Sequence, residues 1–120
     1  MKSAAWFRRR SLWVEEELEL IAPARQVTCL GCGSAWALSR DDLHHVSYAR
    51  LGDEAHEDLW PMCRVCHSRL HEIMRSSKSW RKMPASRANH FALALLQEAG
   101  GLAGGSEQPS GRASTLWEFL

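Results

Sequence analysis

Residues 43–71 read LHHVSYARLGDEAHEDLWPMCRVCHSRLH, and most of the information about the fold lies in this stretch. It contains a pair of adjacent imidazoles and then a mixed group of thiols and imidazoles: His44, His45, Cys63, Cys66, His67 and His71. Thiolates and imidazoles are the protein ligands that ions such as zinc prefer. Two kinds of metal ligand therefore overlap within a short segment, which favours one ion held by cysteines and another held by histidines.

A second Cys-x-x-Cys pair lies upstream at Cys29 and Cys32, so the chain contains two such pairs and four cysteines. Together they supply the four ligands of a tetrahedral zinc ion, whose role is structural because no coordination position stays open. Disulfides are the alternative, and they are disfavoured because the basic segment Met1–Arg10 lacks the apolar run of a secretory signal. The gap between Cys32 and Cys63 exceeds the zinc-ribbon spacing of about 15–20 residues, so the segment between them should have a folded structure of its own.

The histidines of the quoted stretch could build a second site: His44, His45, His67 and His71. Because His67 and His71 are four residues apart, a helix places them on one face, one turn from each other. Three imidazoles leave open positions on a divalent ion for water and a phosphate oxygen, and a fourth can take a proton from the water. Such a group is sufficient for phosphodiester hydrolysis. The alternative is that these are ordinary surface or capping histidines, as we expect for His56 and His90.

The periodicity of apolar residues predicts short elements around these ligands. We expect, in order, a helix capped by Ser11 and ending near Ile21, a strand over Leu43–Tyr48, a helix from Cys66 to about Ser76, a basic connector over Ser77–Pro84 and a helix capped by Ser86 and ending near Ala99. Gly100 should stop the last helix. Side chains alternate along a strand, so His44 and His45 should diverge unless the strand ends or bulges there.

At 120 residues the chain is expected to form one domain with a limited core. We divide it into an N-terminal basic segment and helix (1–25), a metal-binding core (26–80), a C-terminal helix (81–99) and a flexible tail (100–120). No stretch approaches the roughly 20 apolar residues of a membrane span, and a cytoplasmic location is the default expectation.

The net charge of +1 does not by itself mark a nucleic-acid-binding protein. Basic residues are nevertheless dense from Arg64 to Arg87, where Glu72 is the one acidic residue. Such density can follow a phosphate backbone, or it can form an ordinary solvated helix face. The candidates for phosphate contacts are Arg64, Arg69, Arg75 and Lys78.

Several motifs, in this order and at this spacing, resemble the HNH endonuclease family in its zinc-knuckle branch. They are Cys29-Leu-Gly-Cys32-Gly, Leu43-His44-His45-Val46-x-Tyr48, Leu51-Gly52-x-Glu54, Asp58-Leu59 and Cys63-Arg-Val-Cys66-His67-x-x-x-His71. The resemblance covers about residues 27–75. It implies a ββα-metal fold, in which two short strands and a helix hold one catalytic ion and the histidine pair ends the first strand. We therefore expect an α+β fold with a small ββα-metal (HNH) core, which a four-cysteine zinc site stabilises and helices flank.

The resemblance also implies a role for each matching residue. The ligands of the catalytic ion would be His44, His67 and His71. His45 would be the general base, and Glu54 would orient a site histidine. Asp58 stands where the family usually has Asn, a residue that orients the loop and the base. A carboxylate can accept the loop's backbone hydrogen bonds but cannot donate as an amide does, or it could contact the metal.

The function that we expect is hydrolysis of DNA phosphodiester bonds, and the resemblance implies a 5′-phosphate and a 3′-hydroxyl as the products. The cofactors would be structural Zn²⁺ and one catalytic divalent ion: Mg²⁺, Mn²⁺, Ni²⁺ or Zn²⁺, with magnesium least suited to imidazole ligands. DNA would be the partner in preference to RNA, and a monomer and a homodimer stay equally open. The alternatives are a zinc-stabilised nucleic-acid-binding module without catalysis, an RNase of the same fold, and an interaction protein that uses the apolar segment Leu116–Leu120.

Overall fold

The computed structural model describes residues 3–104 as four α-helices, a two-stranded antiparallel hairpin and a short 3-10 turn. In chain order these are α1 (Ala4–Ile21), β1 (Asp42–His45), the 3-10 turn (His56–Asp58), β2 (Leu59–Met62), α2 (Arg64–Arg75), α3 (Lys78–Lys82) and α4 (Ala85–Gly104). The α+β class expected from the sequence is confirmed, and β1, β2 and α2 follow one another as a ββα unit. The apolar segment Leu116–Leu120 lies outside the described residues.

The hairpin carries the two adjacent histidines at the end of its first strand. His44 lies opposite Trp60 on β2, and His45 lies opposite Leu59. Residues directly opposite each other share a face of a sheet, and successive residues alternate between faces. His44 and His45 therefore leave the strand on opposite faces. β1 ends at His45 and is shorter than the strand expected over Leu43–Tyr48.

Each face of the hairpin is covered by its own apolar cluster. The face of His44 is covered by α2 and α4, with the buried residues Cys29, Met62, Cys66, Leu70, Ala92 and Leu96. The face of His45 is covered by α1 and the segment after it, with the buried residues Trp13, Val27, Trp36, Leu43 and Leu59. Because α1 and α4 both contribute buried residues, the outer helices complete the core of the ββα unit. The segment boundaries near residues 25, 80 and 99 stay a prediction.

Helix α1 begins earlier than the sequence pattern predicted. Its N-cap is Ser3, whose Oγ accepts a hydrogen bond from the backbone N–H of Trp6 at 3.1 Å. Ser11 lies inside the helix, so the predicted cap at Ser11 is wrong. The extra turns form because α1 packs Trp6 and Trp13 against the second cluster, and tertiary packing is what stabilises most helices in proteins. The helix ends at Ile21, before Pro23, as predicted.

The C-terminal half is more helical than expected. The segment predicted as a connector contains α3, and α4 begins at Ala85 and not after a cap at Ser86. The predicted stop at Gly100 is also wrong, since α4 continues to Gly104. A glycine costs a helix interior about 1 kcal/mol relative to alanine, which weakens a helix without ending it.

None of the helices within residues 3–104 is both long enough and apolar enough to cross a lipid bilayer.

Candidate metal sites

The four cysteines converge beside the hairpin, from two separate parts of the chain. Their Sγ atoms all lie within 4.8 Å of one another, and those of Cys32 and Cys63 are 4.0 Å apart. A tetrahedral zinc ion with Zn–S bonds of about 2.3 Å holds its sulfurs about 3.8 Å apart. The group formed by Cys29, Cys32, Cys63 and Cys66, called the four-cysteine cluster, therefore fits the structural zinc ion that the sequence predicted.

Backbone geometry turns these thiols toward one point. Cys29 Sγ accepts N–H bonds from Gly31 at 3.2 Å and from Cys63 at 3.3 Å. A Cβ at Gly31 would lie 2.7 Å from Cys66 Sγ, so this glycine is required by the close approach of the two cysteine pairs. Gly33 has a φ of 79°, a left-handed conformation that favours glycine. The knuckle at residues 29–33 is thus shaped by one glycine for space and another for backbone conformation.

The environment of the thiols suits a cation. Burial raises the pKa of Cys29 and of Cys66. At Cys32 burial acts in the same direction, but hydrogen bonding with Ser34, whose Oγ lies 3.1 Å from Cys32 Sγ, brings the pKa down to about 7. Four thiolates in so small a volume repel one another, and a divalent cation offsets both this repulsion and the cost of burial.

Three histidines converge on the face of the hairpin that α2 covers. His44 Nδ1 lies 3.0 Å from His67 Nε2, and His71 Nε2 lies 3.1 Å from the same nitrogen. His67 and His71 share one face of α2, one turn apart, as their spacing predicted. His44 is buried and reaches them from β1. These three residues, called the three-histidine group, form the second set of possible metal ligands.

Outer hydrogen bonds fix which ring nitrogens carry protons. The Asn89 side chain donates its Nδ2 hydrogens to the carbonyl oxygens of Val46 and Ala85, both at 2.9 Å, so its Oδ1 must face His44. His44 Nε2 therefore donates to Asn89 Oδ1 at 2.5 Å, and Nδ1 of the neutral ring carries a lone pair. Nδ1 of His67 donates to Asp42 Oδ2 at 2.9 Å, which leaves a lone pair on Nε2 when that ring is neutral. With both rings neutral, two lone pairs face each other at 3.0 Å, an arrangement that a cation between them would relieve.

A proton on the ring of His44 or of His71 is poorly suited to be that cation. Burial lowers the pKa of His44 to about 4, helped by its histidine neighbours and opposed by the bond to Asn89. Burial likewise lowers the pKa of His71. Metal–nitrogen bonds of about 2.1 Å put two ligand nitrogens about 3.0 Å apart at right angles and about 3.4 Å apart in a tetrahedron. The observed separations of 3.0 and 3.1 Å fit a divalent ion that keeps coordination positions open for other ligands.

His45 belongs to the other face of the hairpin and has different partners. Its Nε2 donates to Glu54 Oε2 at 2.9 Å, and Glu54 is itself buried. One face of the imidazole stacks on Trp6 at 4.8 Å between ring centroids, and Tyr48 stacks at 5.2 Å. Among the residues that the structure describes, none hydrogen bonds Nδ1 of His45. The ring is thus held in one orientation and one tautomer, with an unused lone pair.

Asp58 does not join the three-histidine group. Its carboxylate forms a two-point ion pair with Arg50, at 2.8 Å to Nε and 2.7 Å to Nη2, and accepts the backbone N–H of Ala55 at 2.9 Å. The hydrogen bond from Arg50 holds the pKa of Asp58 below its usual value. The backbone carbonyl of Asp58 also accepts the N–H of Val46 at 2.8 Å. Asp58 therefore holds together the two ends of the loop between β1 and β2 and fixes the segment that carries Glu54.

A cleft of about 570 Å³ connects the two faces of the hairpin. Its lining includes His45, Glu54 and, from the three-histidine group, His67. Trp6 and Arg10 of α1 form the opposite wall. One member of the three-histidine group and the ring of His45 therefore border a single space.

The basic residues singled out in the sequence are all solvent-exposed. Arg64, Arg69 and Arg75 lie on α2, and Lys78 begins α3. α2 is also the helix that carries His67 and His71. Contacts of these side chains with phosphate stay a prediction.

Sequence reasoning missed three residues that shape these sites: Asp42, Asn89 and Trp6. Asp42 lies two residues before His44 on the same strand face, so strand alternation could have found it. Asn89 and Trp6 lie on helices α4 and α1, far along the chain from the histidines that they contact. No local pattern in the sequence connects them to the site.

No protein-family model matches this chain, and no curated protein and no solved structure matches it.

Proposed function

We propose that this protein is a metal-dependent endonuclease of the HNH type that hydrolyses phosphodiester bonds in DNA. The observation that carries the proposal is the pairing of the three-histidine group with His45 across one cleft. One ligand of the three-histidine group, His67, and the separate imidazole of His45 border the same space. A module that only binds nucleic acid needs neither His71 as a further metal ligand nor the separate imidazole of His45.

The histidines, Glu54 and Asp58 each have a task in this reaction. A divalent ion on the three-histidine group would polarise the scissile phosphate and neutralise charge on the leaving oxygen. His45 takes the proton of the attacking water on Nδ1, the nitrogen that its bond to Glu54 leaves as a lone pair. Glu54 then stabilises the imidazolium through Nε2–H. Asp58 keeps Glu54 in place through Arg50 and the backbone of Ala55.

The ββα unit supports the same proposal at the level of the fold. β1 presents His44, α2 presents His67 and His71, and the four-cysteine cluster ties the start of α2 to the knuckle at residues 29–33. The exposed arginines of α2 lie on the same helix as two of the ligands, which suits contacts with the DNA backbone. Such contacts are largely independent of sequence and weaken as salt rises.

A second candidate is a zinc-stabilised module that binds nucleic acid without cleaving it. The exposed basic side chains of α2 and α3 favour it, since they could hold a phosphate backbone whether or not His45 acts as a base. An RNase of the same fold is a variant of the first candidate. It would differ in the sugar that the cleft accepts.

The test is nicking of supercoiled plasmid by zinc-loaded protein, with magnesium, manganese or nickel added in turn. Loss of a general base costs about 10²–10⁴-fold in rate, so we expect His45→Ala to abolish detectable nicking. His71→Ala should do the same by removing a ligand. His90→Ala is the matched control, because His90 is exposed on α4 and lies outside both metal groups.

Cleavage by the parent and by His90→Ala, but by neither site variant, would support the endonuclease. A folded protein that shifts DNA in a gel but cleaves with none of these ions would favour the binding module. Cleavage of RNA in preference to DNA of the same sequence would favour the RNase.

A further inference from the structure

The cleft between α1 and the hairpin is larger than the chemistry at its floor requires. Proton transfer needs only His45 and the edge of the three-histidine group, yet the cleft measures about 570 Å³ and extends to the first turns of α1. Pockets that enclose organic ligands measure about 300 to 1,000 Å³. The space is therefore large enough to take a substantial part of the substrate in addition to one phosphate.

The walls of the cleft suit a flat, partly apolar group. Trp6, Leu43 and Leu51 supply apolar and aromatic surface. Aromatic walls of this kind hold unstacked bases in proteins that bind single-stranded nucleic acid, and they do so with little dependence on base identity. A base inside duplex DNA is already stacked on both sides and would have to leave the helix before it could enter.

The charges of the cleft suit a nucleotide as well. Each of its carboxylates already has a partner: Arg40 for Asp41, His67 for Asp42 and His45 for Glu54. Arg10 differs, because no acidic side chain in residues 3–104 forms an ion pair with it. Its Nη2 donates to the carbonyl oxygen of Leu38 at 3.0 Å, and its guanidinium carbon lies 5.5 Å from the centre of the Phe7 ring. Arg10 is thus a cation at the wall of the cleft that these contacts do not neutralise, so it can still attract a phosphate.

We propose that this cleft binds one unpaired nucleotide, with its base against Trp6 and a phosphate near Arg10. The inference deepens the endonuclease proposal and rests on it for the orientation of the bound strand. It makes single strands, and duplexes with an unpaired nucleotide, the preferred substrates over perfectly paired DNA.

The experiment measures fluorescence anisotropy of labelled oligonucleotides with the full-length chain carrying one zinc ion, for the four-cysteine cluster, and no other divalent ion; gel analysis verifies that the oligonucleotides stay uncut. One sequence is presented as a single strand, as a perfect duplex and as a duplex with one extrahelical nucleotide. Stacking on an aromatic side chain is worth about fivefold to a hundredfold per base. We expect the single strand and the bulged duplex to bind at least fivefold more tightly than the perfect duplex. A single-stranded RNA of the same sequence reports which sugar the cleft accepts.

Two variant pairs locate the effect. Trp6→Ala should remove the preference, while Trp6→Phe should retain part of it. Arg10→Ala should weaken binding of the single strand more than Arg8→Ala does, since Arg8→Ala removes the same charge from an exposed position on the same helix. Circular dichroism shows whether each variant is folded, and Trp6→Phe keeps the test usable if Trp6→Ala is not.

Equal or tighter binding of the perfect duplex would overturn the inference, as would a preference that survives Trp6→Ala and Arg10→Ala. Because binding is measured without cleavage, the two proposals fail separately. A protein that prefers unpaired strands but never cuts would contradict the endonuclease proposal and support the nucleotide-binding cleft. A protein that cuts but binds all three forms equally would support the endonuclease and contradict the nucleotide-binding cleft.

Discussion

At the scale of single residues, the properties of the three-histidine group depend on side chains that would not themselves touch a metal. Asp42 accepts the Nδ1 proton of His67, and Asn89 accepts the Nε2 proton of His44. Such partners fix the tautomer and orientation of a ligand and raise its basicity. The carboxylate of Asp42 should have the larger effect on basicity, because it carries a full negative charge.

Substitution of Asp42 tests this dependence. Asp42→Asn keeps the shape of the side chain but removes the charge, and we expect the affinity of the three-histidine group for a divalent ion to fall about 10–100-fold. The measurement is calorimetric titration of the zinc-loaded protein with nickel. Asp53→Asn makes the same change in an exposed loop and should leave the affinity unaltered. Equal affinities for the two variants would show that Asp42 does not tune the site.

Gly31 is a second residue whose identity is set by a neighbour distant in sequence. A methyl group there would lie 2.7 Å from Cys66 Sγ, so Gly31→Ala must push the two cysteine pairs apart. Overpacking of this kind costs about 1–3 kcal/mol, and here it should also speed the release of zinc to a competing chelator. Gly52→Ala is the control, since its Cβ would meet nothing within 4 Å and only its φ of 92° is unfavourable. Faster zinc release from Gly52→Ala than from Gly31→Ala would contradict the packing argument.

At the scale of elements, α1 determines much of what surrounds His45. It contributes Trp6 to the face of that imidazole, Arg10 to the cleft and Trp13 to the second apolar cluster. Arg9 also connects α1 to the loop between β1 and β2, because its Nε donates to the carbonyl oxygen of Glu54 at 2.9 Å. The first turns of α1 therefore have to be helical for the cleft to have its wall.

The N-cap of α1 gives a direct test of where this helix starts. Ser3→Ala removes the side chain that accepts the N–H of Trp6, and loss of such a cap costs about 0.5–2 kcal/mol in the free energy of unfolding. Ser11→Ala introduces a better helix former at a position inside the helix and should be neutral or slightly stabilising. Thermal unfolding followed by circular dichroism compares the two. A larger loss for Ser11→Ala would mean that the helix begins at Ser11 after all.

At the scale of the whole molecule, a single cation would connect parts of the chain that are far apart in sequence. The four-cysteine cluster joins the knuckle at residues 29–33 to the start of α2, and its buried members Cys29 and Cys66 belong to the same apolar cluster as Leu70 and Leu96. The chain is small, and a domain of this size buries a limited apolar core. Zinc should therefore contribute directly to folding.

Removal of zinc should unfold the core. Binding of structural zinc by small domains is worth about 10–16 kcal/mol near neutral pH, which is comparable with the entire stability of a domain. We expect a strong chelator to abolish cooperative thermal unfolding, and stoichiometric zinc to restore it. Cys32→Ser should weaken zinc retention even without chelator. A metal-free protein with an unchanged melting temperature, verified by metal analysis, would show that the four-cysteine cluster is not structural.

The two ligand sets could be predicted from the sequence alone. The cysteine pairs and the pair His67 and His71 rest on local spacing, and the choice of His44 as the third ligand rests on the resemblance to the HNH family. Each Cys-x-x-Cys pair brings two thiols together in one turn, and the four-residue separation of His67 and His71 aligns them on one helix face whatever the rest of the chain does. The helical character of α2 followed from the same short-range patterns, whereas the α+β class with two strands followed from the resemblance of the motifs.

The surroundings of those ligands depend on the tertiary structure and could not be predicted in the same way. The start of α1 after Ser3, the extension of α4 through Gly100, the carboxamide of Asn89 on His44 and the indole of Trp6 on His45 all require packing between distant segments. Local spacing constrains neighbours along the chain. Contacts across the fold are chosen by the burial of whole helix faces, and that choice depends on all the packed elements together.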